Sequence, residues 1–296
     1  MALGSDAIEL VIRLRAQGYI AAAAAVAEIG AQQLANTFLA ARDRLDRAGA
    51  LFGATAACPL PEPTPTHIVH GSLEHLSEAA PPARDFWRWL GLRYAAIDFG
   101  PGSGNLPLDL NCDRVPRGAR AAYRLVTNFG TTEHVANQCN AFNIIHDLTA
   151  LGGVMLHHVP MQGHLNHGLV NYNPKFFWML ARSNGYRMVH ANMVADATCY
   201  RLPLNIADEM RPFACDIDAR LDGYRATDVH LVVVLQKVFD TPYVAPLDVP
   251  TGTRPSKALA ERYWSVFKPN AFAPPAGTRS RRGGAILAGW RRPAGG

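Results

Sequence analysis

Residues 123–160 constrain the fold more than any other stretch of this 296-residue chain. The segment Tyr-Arg-Leu-Val-Thr-Asn-Phe-Gly-Thr-Thr-Glu-His-Val (123–135) is an apolar run that ends abruptly in small and polar residues. The segment Gly-Gly-Val-Met-Leu-His-His-Val-Pro (152–160) is a glycine pair, a second apolar run and a proline stop. Between them, over Val135 to Leu151, Val135, Cys139, Phe142, Ile145 and Leu148 recur at helical spacing. Strand, loop, helix and strand make a βαβ unit, which implies a parallel sheet. In open parallel sheets ligands sit at the carboxyl ends of the strands. Asn128, Thr131, Thr132, Glu133 and His134 fall at one such end, and His157 and His158 at the next.

The rest of the chain supplies elements that fit an α/β sheet. Ala7 to Gln17 reads as a helix stopped by Gly18, and Phe38 to Leu51 as a second with a charged outer face. Phe86 to Leu92 is an aromatic helix candidate. Tyr94–Phe99 and Leu106–Leu110 read as strands, as do Tyr186–His190 and Val229–Val238. Asn173 and Pro174 cap and open a helix that runs to Asn184 and stops at Gly185. Arg254–Phe267 is a last helix candidate, and residues 58–85 open with four alternating prolines that mark an insertion.

Charge excludes one class of partner. The net charge is +5, yet Arg279, Arg281, Arg282, Arg291 and Arg292 all lie in the last twenty residues, which hold no acid. Without them the chain is neutral, so no basic surface for nucleic acid is expected. Residues 276–296 read as a disordered Arg/Gly-rich tail, and residues 1–275 as one domain. No apolar run is long enough to span a bilayer, so no membrane partner is expected. The five cysteines form no Cys-x-x-Cys pair, which argues against a zinc ribbon or a disulfide framework and fits a reducing cytoplasm.

Four segments together resemble bacterial class I S-adenosylmethionine-dependent methyltransferases. They are Val-Thr-Asn-Phe-Gly-Thr-Thr-Glu-His-Val (126–135), Ile-His-Asp-Leu-Thr (145–149), the Gly-Gly segment at 152–160, and Asn-Tyr-Asn-Pro-Lys-Phe-Phe (171–177). The resemblance runs from about Val26 to Val238. It implies a Rossmann-like, seven-stranded, mostly parallel sheet flanked by helices, with an antiparallel last strand that Val229–Val238 would supply. It implies S-adenosylmethionine as cofactor and a small-molecule or carbohydrate-like methyl acceptor as partner.

Two loops compete for the cofactor. Asp98-Phe99-Gly100-Pro101-Gly102-Ser103-Gly104 has an acid and three alternating glycines, which permit close backbone approach to a ligand. Only eighteen residues separate Gly104 from Tyr123, however, and one βα unit takes roughly thirty. If Tyr123–Asn128 is the fourth strand, the first must lie upstream, at Val26–Ile29, followed by Gly30. Asp98 then ends strand two, where the resemblance places the acid that binds the ribose hydroxyls. Asp109 lands after strand three, where the resemblance implies contact with the adenine. Glu28, Gly30, Asp98, Asp109 and Asn128 are the expected cofactor-binding residues. Gln32 and Leu34 stand where the family has further glycines.

Methyl transfer needs alignment and at most one base. His134, His158 and Glu133 are the catalytic candidates, and no metal is required. Other roles remain open: Asn128 as a loop cap, Glu133 and His134 as a helix start, and Asn171–Pro174 as a plain helix cap. A non-catalytic binding protein of the same fold is one alternative function. A metal-dependent hydrolase built on the His157–His167 loop, with His158 and His164, is another. Adjacent strand residues point to opposite faces, which argues against His157 and His158 sharing an ion. Oligomeric state is not legible.

Overall fold

Apolar strands with no polar alternation must be covered on both faces, and the chain meets this by packing helices on each side of one sheet. The computed structural model describes residues 2–63, 80–100, 102, 104–195, 198–202, 204, 228–249 and 255–263. The tail at 276–296, the middle of the proline-rich insertion and the end of the last helix candidate lie outside them. The strands are β1 (Ala25–Ile29), β2 (Arg93–Ile97), β3 (Asn105–Leu106), β4 (Tyr123–Phe129), β5 (Thr149–Gln162), β6 (Arg187–Ala195), β7 (Thr198–Arg201) and β8 (Val229–Gln236). Their order is β3-β2-β1-β4-β5-β8-β6-β7. The first five are mutually parallel, and β8 is antiparallel to both β5 and β6. This is the Rossmann-like, mostly parallel sheet expected from the sequence, with an antiparallel β8 and one further edge strand.

Helices α1 (Ser5–Ala16), α2 (Asn36–Ala40), α3 (Arg42–Phe52) and α4 (Ala83–Trp89) precede β2, α5 (Gln138–Leu148) joins β4 to β5, and α6 (Pro174–Asn184) precedes β6. A short α7 (Lys257–Arg262) comes last. Strand alternation divides the core. Val126, Met155 and Val233 face α5 and α6, meeting Phe142, Ile145 and Phe177. Leu125, Val154, Leu156 and Val234 face the other layer, meeting Ile8, Val11, Leu45 and Trp87.

Several boundaries differ from the sequence reading, each for a local reason. Strand β3 pairs only at Asn105 and Leu106, because Pro107 has no N–H to continue a ladder. The helix expected over Phe38–Leu51 breaks at Ala41, which leaves the helical region (φ −82°, ψ 53°). Arg42 then ties the start of α3 to the carbonyls of Leu60 and Pro61 in the proline-rich segment. The helix expected from Val135 to Leu151 is shorter, because Asn137 accepts from the Asn140 N–H and sets its start. The pair Gly152-Gly153 is a bulge inside β5 rather than a turn before it. Gly152 has φ +75°, a Cβ on Gly153 would lie 2.8 Å from the Ala150 carbonyl, and the β4–β5 register slips there. The Asn173 cap, Pro174 and the left-handed Gly185 (φ 63°) stand as the sequence indicates. Among the described residues no helix is long and apolar enough to cross a membrane.

Candidate functional site

The parallel ends of β1, β2 and β4 open onto a cavity of about 440 Å³. Its wall includes Gly30, Ala31 and Gln32 after β1, Asp98 and Phe99 after β2, and Leu108, Asp109 and Asn111 after β3. Gly130, Thr131, His134 and Val135 after β4 complete it. Of the residues singled out from the sequence, Gly30, Asp98, Asp109 and His134 therefore share one cavity. Glu28, Asn128, Glu133 and His158 are not in its wall.

The loop after β1 turns on Gly30, whose φ of +75° suits glycine. A Cβ there would sit 2.4 Å from Thr131 Oγ1. Gly30→Ala is therefore expected to destabilise the fold by about 1–3 kcal/mol, measured by denaturant unfolding; an unchanged midpoint would contradict this geometry. Gln32 follows two residues after the Gly30 turn. Its carboxamide folds back to donate to the Ile29 and Gly30 carbonyls (both 3.1 Å) and to Thr131 Oγ1 (3.2 Å).

Asp98 bridges two loops. Its Oδ2 accepts from the Ala31 N–H at 2.8 Å and its Oδ1 from the Gly100 N–H at 2.9 Å. Each carboxylate oxygen keeps a further lone pair for a ligand hydroxyl. The β3 loop is held despite its short strand. Asn140 donates to the Leu110 and Asp113 carbonyls, and Asn137 grips Asn111 through two bonds. Asp109 closes a turn by accepting from the Asn111 N–H.

Glu28 points away from the cavity, because β1 alternation sends it to the α4 side. There it is fully buried and accepts from Trp87 Nε1 (2.7 Å), Tyr94 Oη (2.8 Å) and the Gln32 N–H (3.0 Å). Desolvation raises its pKa to about 7, against the lowering effect of these donors. It braces the loop that carries Gly30. Asn128 does the same for the β4 loop: it donates to Thr132 Oγ1 (2.8 Å) and accepts from the Thr132 N–H (3.2 Å). Tyr172 Oη meets Thr132 Oγ1 at 2.8 Å from the other side.

The histidines separate by face. His157 is buried among Phe142 and Phe177, while His158 lies against Phe129 on the opposite face. From His158 a row of rings leads outward through His230, His164 and His167 to His134, with successive centroids 4.5–5.6 Å apart. Desolvation lowers the pKa of each, to about 4 for His158 and about 3 for His230. These imidazoles are neutral at pH 7. Glu133 is fully buried beside His167, 3.6 Å from its Nε2, and burial raises its pKa. Sequence reasoning did not bring Glu133 and His167 together; they lie far apart along the chain, and only the loop packing joins them.

No family model matches the chain, and neither does any curated protein. The chain is similar to solved S-adenosylmethionine-dependent methyltransferases. One, from Archaeoglobus fulgidus, is 10% identical, with a TM-score of 0.40, 78% of this chain covered and 94% of that one. A putative sarcosine dimethylglycine methyltransferase from Galdieria sulphuraria is 12% identical, with a TM-score of 0.41 and coverages of 78% and 85%. The 1,6-didemethyltoxoflavin N1-methyltransferase of Burkholderia thailandensis is 10% identical, with a TM-score of 0.39 and coverages of 78% and 77%. At this level the likeness concerns the course of the backbone and assigns neither activity nor residues.

Proposed function

We propose that the chain is a methyltransferase that binds S-adenosylmethionine in the cavity above β1, β2 and β4 and methylates a small-molecule or carbohydrate-like acceptor. The observation that carries this reading is Asp98. Its carboxylate ends β2, lies in the cavity wall and is linked to the Gly30 turn through the Ala31 N–H. A carboxylate so held can accept from two vicinal ribose hydroxyls. The cavity volume is in the range of small-molecule sites. The tight Gly30 turn brings backbone close to a ligand, and Leu108 and Leu110 offer an apolar wall beside Asp109 for a base.

The cofactor would supply an electrophilic methyl group on a sulfonium. This chain's residues have the remaining tasks. Asp98 and the Gly30 turn fix the nucleoside, and Glu28 and Asn128 hold the two loops from behind. His134, neutral and in the cavity wall, is placed to take the acceptor proton. Glu133 and His158 lie outside the wall and would act only through neighbours. Leu165 and Leu169 expose most of their surface on the loop that carries His164 and His167. Acceptor entry over that loop accords with a partly apolar molecule.

A second reading has its own observation. The Gln32 carboxamide satisfies acceptors of the very turn that would approach the cofactor, which suits a binding protein of this fold without catalysis. Thermal unfolding with added ligand separates the readings. A ligand at a hundred times its Kd stabilises the folded state by about 2.7 kcal/mol. S-adenosylhomocysteine is expected to raise the midpoint, whereas NAD and ATP are not. A rise with NAD alone, or with none of them, would overturn the methyltransferase reading.

A further inference from the structure

Beside the cavity, three side chains converge that the proposed methyl transfer does not need together. Glu133 and His134 lie in the 3-10 turn after β4 (Thr132–His134), and His167 lies in the loop after β5. One ligand atom from each lies within 4.8 Å of the other two. The His134 and His167 rings are 5.2 Å apart.

The juxtaposition is built by backbone. The N–H groups of Leu169 and Val170 both donate to the Glu133 carbonyl, at 2.8 and 3.1 Å. Gly168 permits this approach, since a Cβ there would lie 3.0 Å from Glu133 Cγ and from the Glu133 carbonyl oxygen. The loop is therefore clamped onto Glu133 with His167 at its edge. Asn128 and Tyr172 fix the turn on the other side through Thr132.

Glu133 supplies the second observation. It is fully buried, and neither of its carboxylate oxygens has a hydrogen-bond partner. A buried carboxylate without donors is costly unless a cation meets it. His167 Nε2 lies 3.6 Å from its Oε1. A carboxylate facing two imidazoles is a donor set suited to a first-row divalent transition ion, with coordination positions left open.

We propose that Glu133, His134 and His167 form a binding site for a divalent transition-metal ion at the edge of the cavity. Ligand atoms bound at about 2.0–2.2 Å in a tetrahedral shell lie roughly 3.4 Å apart. The two exposed imidazoles close the remaining distance by side-chain rotation, while Glu133 stays fixed. His134 belongs to both the cavity wall and the triad, so the ion lies next to the proposed acceptor side. While bound, the ion takes the lone pair with which His134 would otherwise accept the proton. Its open positions would take an oxygen or nitrogen ligand from a molecule in the cavity. Metal binding here does not depend on the cavity being a nucleoside site, and the two readings fail separately.

The test uses the full chain, stripped with a chelator and titrated with Co²⁺ while its visible absorption is followed, then with Zn²⁺ in competition. One equivalent of Co²⁺, displaced by Zn²⁺, is expected. His167→Ala and Glu133→Gln should each weaken binding at least tenfold. His190→Ala, on β6 beside Arg13 and Arg201, should bind as the parent does. His167 is partly exposed, so its variant keeps the fold and remains informative even if Glu133→Gln misfolds. No stoichiometric Co²⁺ binding by the parent, or an unchanged affinity in His167→Ala, would overturn the proposal. Intact Co²⁺ binding with no response to S-adenosylhomocysteine would overturn the cofactor reading alone.

Discussion

Replacing Asp98 by alanine is expected to weaken S-adenosylhomocysteine binding by about a hundredfold to ten-thousandfold. Two hydrogen bonds from ligand hydroxyls to a carboxylate are worth about 1.5–3 kcal/mol each, and about 1.4 kcal/mol is tenfold in affinity. The loss has a second source in the protein. Asp98 Oδ2 holds the Ala31 N–H and Oδ1 the Gly100 N–H, so the alanine variant also frees the loops that shape the cavity. Asp98→Asn separates the two contributions. Its amide oxygen can keep one loop bond, while its NH₂ faces a donor. An intermediate loss is expected from it. Because Asp98 is only partly buried, the variants should fold, which circular dichroism would check. An alanine variant that binds as tightly as the parent would remove Asp98 from the site and with it the strand order as a guide to the ligand.

The second large effect concerns Glu28 and stability. Its carboxyl is fully buried with a pKa raised from 4.5 to about 7, desolvation being the leading cause. The folded state thus binds a proton between about pH 4.5 and 7 that the unfolded chain has released. For an acid whose folded pKa is raised, stability falls as pH rises through that window. A tenfold difference in proton affinity is worth about 1.4 kcal/mol, so this one carboxyl accounts for a decline of about 3 kcal/mol. Above pH 7 its contribution is flat. Glu28→Gln should abolish the decline, because an amide does not ionise. The variant should also be less stable near pH 5, since its NH₂ cannot accept from the Gln32 N–H. Glu28→Ala leaves Trp87 Nε1, Tyr94 Oη and the Gln32 N–H without this acceptor, and each buried orphan costs about 1–3 kcal/mol. Denaturant unfolding of parent and Glu28→Gln at pH 5 and pH 8 decides the matter. Equal pH slopes in the two proteins would show that Glu28 is ionised in the fold throughout.

Glu28 also shows what the sequence conveyed and what it could not. An acid at the end of an apolar run before a glycine marks a strand end, and β1 ends at Ile29. Which face the acid takes depends on the register of the whole strand, and Val26 and Glu28 point to the α4 side together. Asn128 on β4 and Glu133 in the 3-10 turn beyond it are buried outside the cavity wall, while Asp98 and His134 reach it. Local signals with one meaning were legible, as with the cap at Asn173, the stop at Gly185 and the parallel β4–α5–β5 unit. Signals with two meanings were not. The Gly152-Gly153 pair reads equally well as a turn or a bulge, and only pairing with β4 makes it a bulge. Pro107 ends β3 where hydrophobicity alone continues it. β7, four residues long, has no apolar alternation to announce it and exists by pairing with β6. The approach of His167 to Glu133 rests on two backbone hydrogen bonds and a glycine contact, which no linear pattern encodes.

Calorimetric titration of the purified protein with S-adenosylmethionine and S-adenosylhomocysteine tests the central claim most directly. Saturable binding of one molecule per chain, at micromolar concentrations and reduced in Asp98→Ala, is the predicted result. Absence of heat at millimolar ligand, with the protein folded by circular dichroism, would contradict the claim that this cavity holds the methyl donor.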